Sequence, residues 1–266
     1  QQDRIKRHFE YTWRELAGIN DNYRKFVEAE ISRLGPEHIT IRTQYELQPI
    51  SGAGFLLNEL QRHMIKGSHA WEYEPEDPDA AYYVGGLDLA GEHRPKQGEE
   101  TKTNKRDSTV LTIAKVKYNE FMLPALEIVH HRFWLGAEYL DQYAQIIEFC
   151  ELWGIRKLVV DETGLGNTMA SLLQTRLGED RVERFYFTRP SKSKLAFQFL
   201  SLVNSGRLKI YAQEDAPQDL YGECWKQLKL ARYSVPAEGQ LNFFCSPEEA
   251  HDDFLISVAL CTEAIK

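Results

Sequence analysis

Residues 82–90, YYVGGLDLA, decide the fold, because this apolar run has the composition of a strand and ends in a single aspartate, Asp88. Two more apolar runs follow a long polar loop, STVLTIAKVKY (108–118) and PALEIVHHRFW (124–134), and no helical pattern separates them. Consecutive strands without an intervening helix favour an antiparallel meander. The sequence therefore predicts three neighbouring strands, the first of which ends at an acidic residue.

Helices and strands alternate after the meander. Residues 138–152 have helical periodicity, and RKLVVDETG (156–164) is an apolar strand that again ends in an aspartate, Asp161. This order predicts an α/β fold, with a mixed sheet flanked by helices on both faces, as in the RNase H-like fold of resolvases and integrases. The remaining predicted strands are 182–187 and 241–246, and the remaining predicted helices are 167–177, 192–204, 217–230 and 247–264.

The first third of the chain has a different pattern. Residues 9–34 predict two helices broken near Gly18 and ended by Gly35. ITIRTQYELQPI (39–50) predicts a short extended segment, and LLNELQRHMI (56–65) predicts one more helix. The next residues, EYEPEDPD, are acidic and contain two prolines, which indicates a boundary. We therefore expect two parts, residues 1–75 and residues 76–266.

Composition is typical of a soluble globular chain that binds no membrane, with 42% hydrophobic residues and no apolar run near the roughly 18 residues of a membrane span. The four cysteines form no C-x-x-C pair, which predicts core thiols in a reducing compartment. The net charge of −8 argues against a broad basic face for DNA, and predicts weak DNA affinity for the isolated chain.

The acidic residues fall where one site could collect them. If the strands ending in Asp88 and Asp161 lie side by side and parallel, both carboxylates emerge at the edge where α/β sheets bind ligands. His251, Asp252 and Asp253 begin the last predicted helix, whose packing could bring them to the same edge. Alternatively, each aspartate alone could be a turn residue or could complement a helix dipole.

Clustered carboxylates repel one another, so such a site requires cations. Oxygen ligands suit Mg²⁺ or Mn²⁺, and two such ions could activate water against a phosphodiester. Hydrolysis by such a pair of ions would need no covalent nucleophile. A helical wheel of the last helix places His251 toward the core, with Asp252 and Asp253 at either side of the opposite edge.

Three segments resemble the acidic motifs of phage terminase large-subunit nuclease domains: GLDLAG (86–91), VVDETGLGN (159–167) and HDDFLISVAL (251–260). TRPSKSKLAFQFLSLVNSGRLKI (188–210) is similar to the family's segment between the second and third motifs. RTQYELQPI (42–50) resembles the stretch that links the family's ATPase motor to its nuclease.

This resemblance implies an endonuclease that cuts concatemeric viral DNA during genome packaging with little sequence specificity. It implies that Asp88, Asp161 and either Asp252 or Asp253 bind the two metals, and the choice between the last two stays open. The secondary candidates are His251, Glu162 and Asp107. The expected partners are double-stranded DNA, the small terminase subunit and the capsid portal. A virus-encoded protein of this kind acts in the host-cell cytoplasm, at the procapsid.

The ATPase motor of the family is not expected in this chain, because its sequence contains no G-x-x-x-x-G-K-[ST] phosphate loop. We therefore expect a C-terminal portion of a terminase that neither binds nor hydrolyses ATP. Residues 1–75 are then interpreted as the end of the motor region and its linker.

Two local basic stretches are candidates for DNA binding. Lys105 and Arg106 lie in the loop after the first strand, and Arg189, Lys192 and Lys194 lie at the start of a predicted helix. Helix N-termini with lysines suit phosphate groups, although a solvated loop would have the same composition.

Other functions fit parts of the pattern. A junction resolvase or a transposase-like nuclease would have the same fold. An actin-like or sugar-kinase-like nucleotide-binding protein would also place acidic, glycine-rich turns such as VGGLDLAG (84–91) and VVDETGLG (159–166) after its strands. A procapsid-docking domain with a vestigial acidic cluster is the non-enzymatic alternative.

Overall fold

The strands and helices follow the predicted order closely. The computed structural model of the chain describes residues 11–36, 41–47, 52–76, 82–90, 108–136, 139–163, 166–235 and 240–266. The strands are β1 (Gly52–Phe55), β2 (Tyr82–Asp88), β3 (Ser108–Tyr118), β4 (Pro124–Leu135), β5 (Lys157–Asp161), β6 (Val182–Phe185), β7 (Leu208–Ile210), β8 (Arg232–Val235) and β9 (Asn242–Phe244). The helices are α1 (Trp13–Ala17), α2 (Asp21–Leu34), α3 (Glu59–Met64), α4 (Tyr139–Leu152), α5 (Gly166–Leu177), α6 (Arg189–Asn204), α7 (Gln218–Leu230) and α8 (Asp253–Glu263).

A six-stranded mixed sheet with the order β6-β5-β2-β3-β4-β7 forms the centre of the described chain. The strands β2, β3 and β4 pair as an antiparallel meander, which confirms the prediction. The strands β5 and β7 add in parallel to β2 and β4, and β6 adds in parallel to β5. As a result, β2, β5 and β6 all end at the same edge of the sheet.

Each face of this sheet is covered by helices and has its own hydrophobic core. On one face, α4 and α5 pack through residues such as Ile146, Trp153 and Leu173. On the other face, α6, α7 and α8 pack through residues such as Phe199 and Val258. Burying a large apolar side chain contributes roughly 1.5–3 kcal/mol, so these two cores hold the sheet and its edges in place. This arrangement confirms the predicted RNase H-like α/β architecture.

Residues 52–76 share the second of these cores. Leu57, Ile65 and Trp71 are buried in this core, and Lys66 forms an isolated bridge with Ile210 of β7. In addition, β1 joins β8 and β9 in a small antiparallel sheet. The sequence pattern predicted neither β1 nor β8, nor the short edge strand β7. The division of the chain at residue 76 stays a prediction.

Two predicted segments differ from the structure. Residues 39–50 were expected to be extended, but Ile41–Tyr45 form a π-helical turn. Tertiary contacts override the strand propensity there, because Ile41 is buried and Glu46 accepts a hydrogen bond of 2.9 Å from Trp13 Nε1. The last helix was predicted to begin at residue 247. It begins at Asp253, because residues 247–249 form a turn instead.

The four cysteines occupy the core, as the sequence predicted. All four cysteines are free and buried, and burial raises the pKa of Cys150 and of Cys224 to about 12. Of the helices in the described ranges, none is both long and apolar enough to cross a bilayer.

Gly86 allows α8 to lie directly against β2. A Cβ atom at this position would stand 2.0 Å from the carbonyl oxygen of Ser257 and 2.8 Å from the amide nitrogen of Cys261. Real Cβ atoms do not approach backbone so closely, so a side chain here would push the helix away from the sheet. The glycine therefore fixes the distance between α8 and the strand that ends in Asp88.

Replacing Gly86 by alanine should destabilise the protein by about 1–3 kcal/mol or more, because the added methyl group meets backbone that cannot move alone. Urea unfolding followed by circular dichroism measures the effect. Gly222→Ala in α7 is the control, since nothing lies within 4 Å of its Cβ position. The free energy of unfolding of this control should rise by about 0.5–1 kcal/mol, because alanine is favoured over glycine within a helix. Equal unfolding midpoints for Gly86→Ala and the parent protein would contradict the close approach.

Candidate metal centre

Asp88 and Asp161 lie at the ends of neighbouring parallel strands. Leu87 pairs with Val160 between β2 and β5, so the two aspartates that follow occupy equivalent positions at one edge of the sheet. Asp161 also pairs with Phe185 of β6. The structure thus brings these two predicted residues together at the edge where the sequence placed them.

The N-terminal turn of α8 completes the acidic cluster. Asp253 is its first residue and is buried, with 9% of its surface exposed, and Asp252 is the half-buried N-cap residue. The hydroxyl group of Ser108, the first residue of β3, donates a hydrogen bond to Asp253 Oδ2. Since β3 pairs with β2, this bond ties the helix to the sheet beside Asp88.

The Asp88 carboxyl group is buried among other negative charges. Burial raises this pKa well above its usual range, and the negative charges of Asp253, Asp161 and Asp252 raise it further. The positive charge of Lys192 acts in the opposite direction. Of the two aspartates in the α8 turn, Asp253 therefore acts more strongly on Asp88 than Asp252 does.

Asp161 has a second role as a turn residue. Its Oδ1 accepts a hydrogen bond of 2.7 Å from the backbone amide of Thr163. Burial raises the pKa of Asp161, while the Thr163 hydrogen bonds and the charge of Lys192 lower it. Asp161 therefore both forms the turn at the end of β5 and belongs to the acidic cluster.

The cluster fits divalent cations by its charge, because buried carboxylates that raise each other's pKa are stabilised by bound positive charge. Its geometry is more open than a complete metal cage. Within the described ranges, no three His, Cys, Asp or Glu side chains are gathered into a group that could hold one ion. Mg²⁺ sites typically use one or two protein carboxylates and keep several water ligands.

The secondary candidates have different surroundings. His251 is exposed and Asp253 is buried, so the prediction that His251 faces the core was wrong. Because α8 begins only at Asp253, its helical phase does not extend back to residue 251. Glu162 lies next to Asp161, but it forms an ion pair of 2.6 Å with Arg184. Asp107 lies outside the described residues.

Lys192 is the predicted DNA-binding residue that lies at the acidic cluster. A capping box between Thr188 and Ser191 begins α6, and Lys192 follows in its first turn. Its Nζ atom stands 5.3 Å from the centroid of the Phe243 ring and 5.8 Å from that of Phe187. These rings hold the ammonium group while its charge lowers the pKa of both strand-end aspartates.

The other predicted DNA-binding residues are placed elsewhere or are not described. Lys194 is exposed, and its neighbour is Lys266, whose pKa is lowered by burial and by the charge of Lys194. Arg189 is exposed at the first position of α6. Lys105 and Arg106 lie outside the described residues. The two lysines of α6 therefore face different surroundings, although the sequence grouped them together.

Several residues of the site were missed by sequence reasoning. Ser108 contacts Asp253 from a position 145 residues earlier, and Phe243 reaches Lys192 from β9. Gln227 of α7 accepts hydrogen bonds from the backbone of α8. Nothing in the local pattern around these residues indicates such contacts, because each depends on tertiary packing.

No protein-family model matches the chain, and no curated protein sequence matches it. Solved structures, in contrast, match the chain. The chain is similar to the large terminase nuclease from thermophilic phage G20c with bound magnesium, at 19% identity and a TM-score of 0.56. The match covers 81% of this chain and 98% of that one.

Two further solved structures are similar to this chain. The HK97 bacteriophage large terminase matches at 12% identity with a TM-score of 0.53, covering 92% of this chain and 50% of that one. A mutant nuclease domain of the large terminase subunit gp2 of bacterial virus Sf6, with manganese and beta-thujaplicinol, matches at 9% identity with a TM-score of 0.51. This match covers 79% of this chain and 98% of that one. At such low identity the likeness establishes a shared fold.

Asp88→Asn should stabilise the protein in EDTA at pH 8, because it removes one charge from a buried set of like charges. A carboxyl whose pKa is raised on folding destabilises the native state increasingly as the pH rises above the unfolded value of about 3.9. The gain should therefore be a few degrees in thermal unfolding at pH 8 and should vanish near pH 4. Excess Mn²⁺ should reverse the order of stability at pH 8. A variant less stable than the parent in EDTA at pH 8 would contradict the repulsion.

Proposed function

We propose that this chain is a divalent-metal-dependent DNA endonuclease, the nuclease part of a phage terminase large subunit. The observation that carries the proposal is the convergence of Asp88, Asp161 and Asp253 at one edge of an RNase H-like sheet. Solved terminase nucleases have this fold, and the three acidic segments of the sequence resemble theirs.

The proposed cofactors are two divalent cations, Mg²⁺ or Mn²⁺. Asp88, Asp161 and Asp253 are the side chains that would hold these ions. Asp252 is the proposed additional ligand of the α8 turn. Bound ions of this kind lower the pKa of a water molecule and stabilise the leaving oxygen of a phosphodiester. Ser108 holds the Asp253 carboxylate in one orientation by its hydrogen bond.

The proposed substrate is double-stranded DNA, cut with little sequence specificity. Among the described residues, Lys192 is a cation whose charge lowers the pKa of both Asp88 and Asp161. Its ammonium group suits a phosphate group next to the metals. A contact of this kind positions the DNA backbone but reads no base sequence. The net charge of −8 repels DNA elsewhere, so binding by the isolated chain should be weak and salt-sensitive.

In this proposal the enzyme cuts concatemeric viral DNA during packaging, in the host-cell cytoplasm and at the procapsid. The small terminase subunit and the capsid portal are the proposed partners. Residues 1–75 are proposed to be the end of the motor region and its linker, with the segment 52–76 packed onto the nuclease core.

The purified chain should nick and linearise plasmid DNA with Mn²⁺ or Mg²⁺ and should be inactive in EDTA. Asp88→Ala and Asp161→Ala should each reduce the rate by roughly 100-fold or more, because each removes a metal ligand that stabilises the transition state. Gel electrophoresis of timed reactions measures the rates. Glu214→Ala, which changes an exposed acid outside the site, is the charge-matched control and should keep full activity.

Two results would contradict the proposed function. Cleavage that persists in EDTA or in both aspartate variants would point to a contaminating or different nuclease. A folded protein that neither cuts DNA nor binds Mn²⁺, but binds ATP in calorimetry, would support the actin-like or sugar-kinase-like alternative instead.

Lys192→Ala should weaken DNA binding and reduce the slope of log affinity against log salt concentration by about 1, since one phosphate contact is lost. Lys194→Ala is the matched variant, because this lysine lies two residues further along α6 and beside Lys266. Fluorescence anisotropy with a labelled duplex in Ca²⁺ measures both without cleavage. Equal slopes for the parent protein and Lys192→Ala would remove Lys192 from the DNA-binding surface.

A further inference from the structure

The N-terminal turn of α8 is capped in an unusual way. Asp252 occupies the N-cap position, where an aspartate normally accepts hydrogen bonds from the second or third amide of its helix. Here, among the described amides of α8, the Asp252 side chain makes no capping hydrogen bond. The backbone still starts the helix there, because Asp252 O accepts a hydrogen bond of 2.8 Å from the amide of Ile256.

Gln227 of α7 supplies the missing cap from outside the helix. Its Oε1 atom accepts hydrogen bonds from the amides of Phe254, at 2.8 Å, and Leu255, at 3.3 Å. These are the second and third amides of α8, the ones that the N-cap side chain would otherwise satisfy. A side chain from a neighbouring helix therefore accepts the hydrogen bonds that an N-cap aspartate such as Asp252 would usually accept.

The Gln227 side chain is held firmly in this role. Only 1% of the residue is exposed, and its Nε2 atom donates to Glu223 Oε1 at 3.2 Å. The backbone carbonyl oxygen of Gln227 accepts a hydrogen bond of 3.4 Å from Cys245 Sγ. An amide is also a neutral acceptor, so it caps the helix without adding another negative charge beside Asp88, Asp252 and Asp253.

We propose that Gln227 is a positioning residue that caps α8 from α7 and thereby leaves the Asp252 carboxylate available to a divalent cation. The metal part of this inference rests on the proposed nuclease function. The capping part stands on its own. Without Gln227, the two amides of α8 would be buried without an acceptor, and the nearest remedy is for Asp252 to turn inward and take the N-cap role.

A stability cycle in EDTA tests the capping without metal or DNA. Asp252→Ala should not lower the urea unfolding midpoint of the parent protein, since Asp252 caps nothing there and its removal lessens the negative charge beside Asp88. In the Gln227→Met background the same substitution should lower the midpoint clearly, because Asp252 has then become the cap. Equal effects of Asp252→Ala in the two backgrounds would overturn the inference.

Mn²⁺ binding, followed by electron paramagnetic resonance, tests the consequence for the site. Gln227→Met should bind Mn²⁺ roughly ten times more weakly than the parent, a typical effect for a residue that supports a metal ligand. Gln227→Glu keeps an acceptor at the same place but adds a negative charge and loses the donor to Glu223, so it should restore only part of the affinity. Gln198→Met is the matched control, because Gln198 donates a hydrogen bond of 2.6 Å to Thr262 O at the other end of α8.

The two experiments separate this inference from the proposed function. A parent protein that binds no Mn²⁺ would overturn both the metal centre and the positioning role, whereas the stability cycle would still decide where the cap of α8 comes from. A parent protein that binds Mn²⁺ no better than Gln227→Met would leave the nuclease proposal intact and overturn the positioning role alone. An equal loss of affinity in Gln198→Met would reduce Gln227 to a general packing residue.

Discussion

The contact between α8 and β2 across Gly86 is the constraint on which the rest of the structure depends. It sets how far the acidic turn of the helix stands from the strand that ends in Asp88. Both hydrophobic cores are arranged around the same sheet, so the helix cannot shift without opening one of them. The absence of one methyl group at Gly86 is therefore what allows carboxylates from distant parts of the sequence to face each other.

This packing stabilises an arrangement that electrostatics alone would not allow. Asp88 is buried among like charges, and its raised pKa expresses the cost of keeping it ionised. Lys192, held between two aromatic rings, offsets part of that cost from the first turn of α6. In the proposed nuclease, bound cations would offset the rest of that cost, and Lys192 would add positive charge where an otherwise acidic protein contacts a phosphate.

The sequence predicted the parts of the site that local patterns encode. Strand-like runs ending in Asp88 and Asp161 could be recognised, because period and composition locate strand ends and parallel neighbours share an edge. The choice between Asp252 and Asp253 could not be made, because it depends on where α8 begins. A turn before the helix changed its phase, and the wheel that placed His251 in the core consequently failed. The pairing of β1 with β8 joins residues about 180 positions apart, and no local signal indicates it.

Whether an aspartate at a helix start is a ligand or a cap is decided by its neighbours in space, since both roles use the same carboxylate oxygens. In this chain Ser108 orients Asp253, and Gln227 satisfies the amides that would otherwise attract Asp252. Neither residue belongs to an acidic motif. A sequence could therefore keep all three motifs and still lose the proposed metal site through a change in α7, because the motifs supply the carboxylates while the surrounding packing determines what those carboxylates bind.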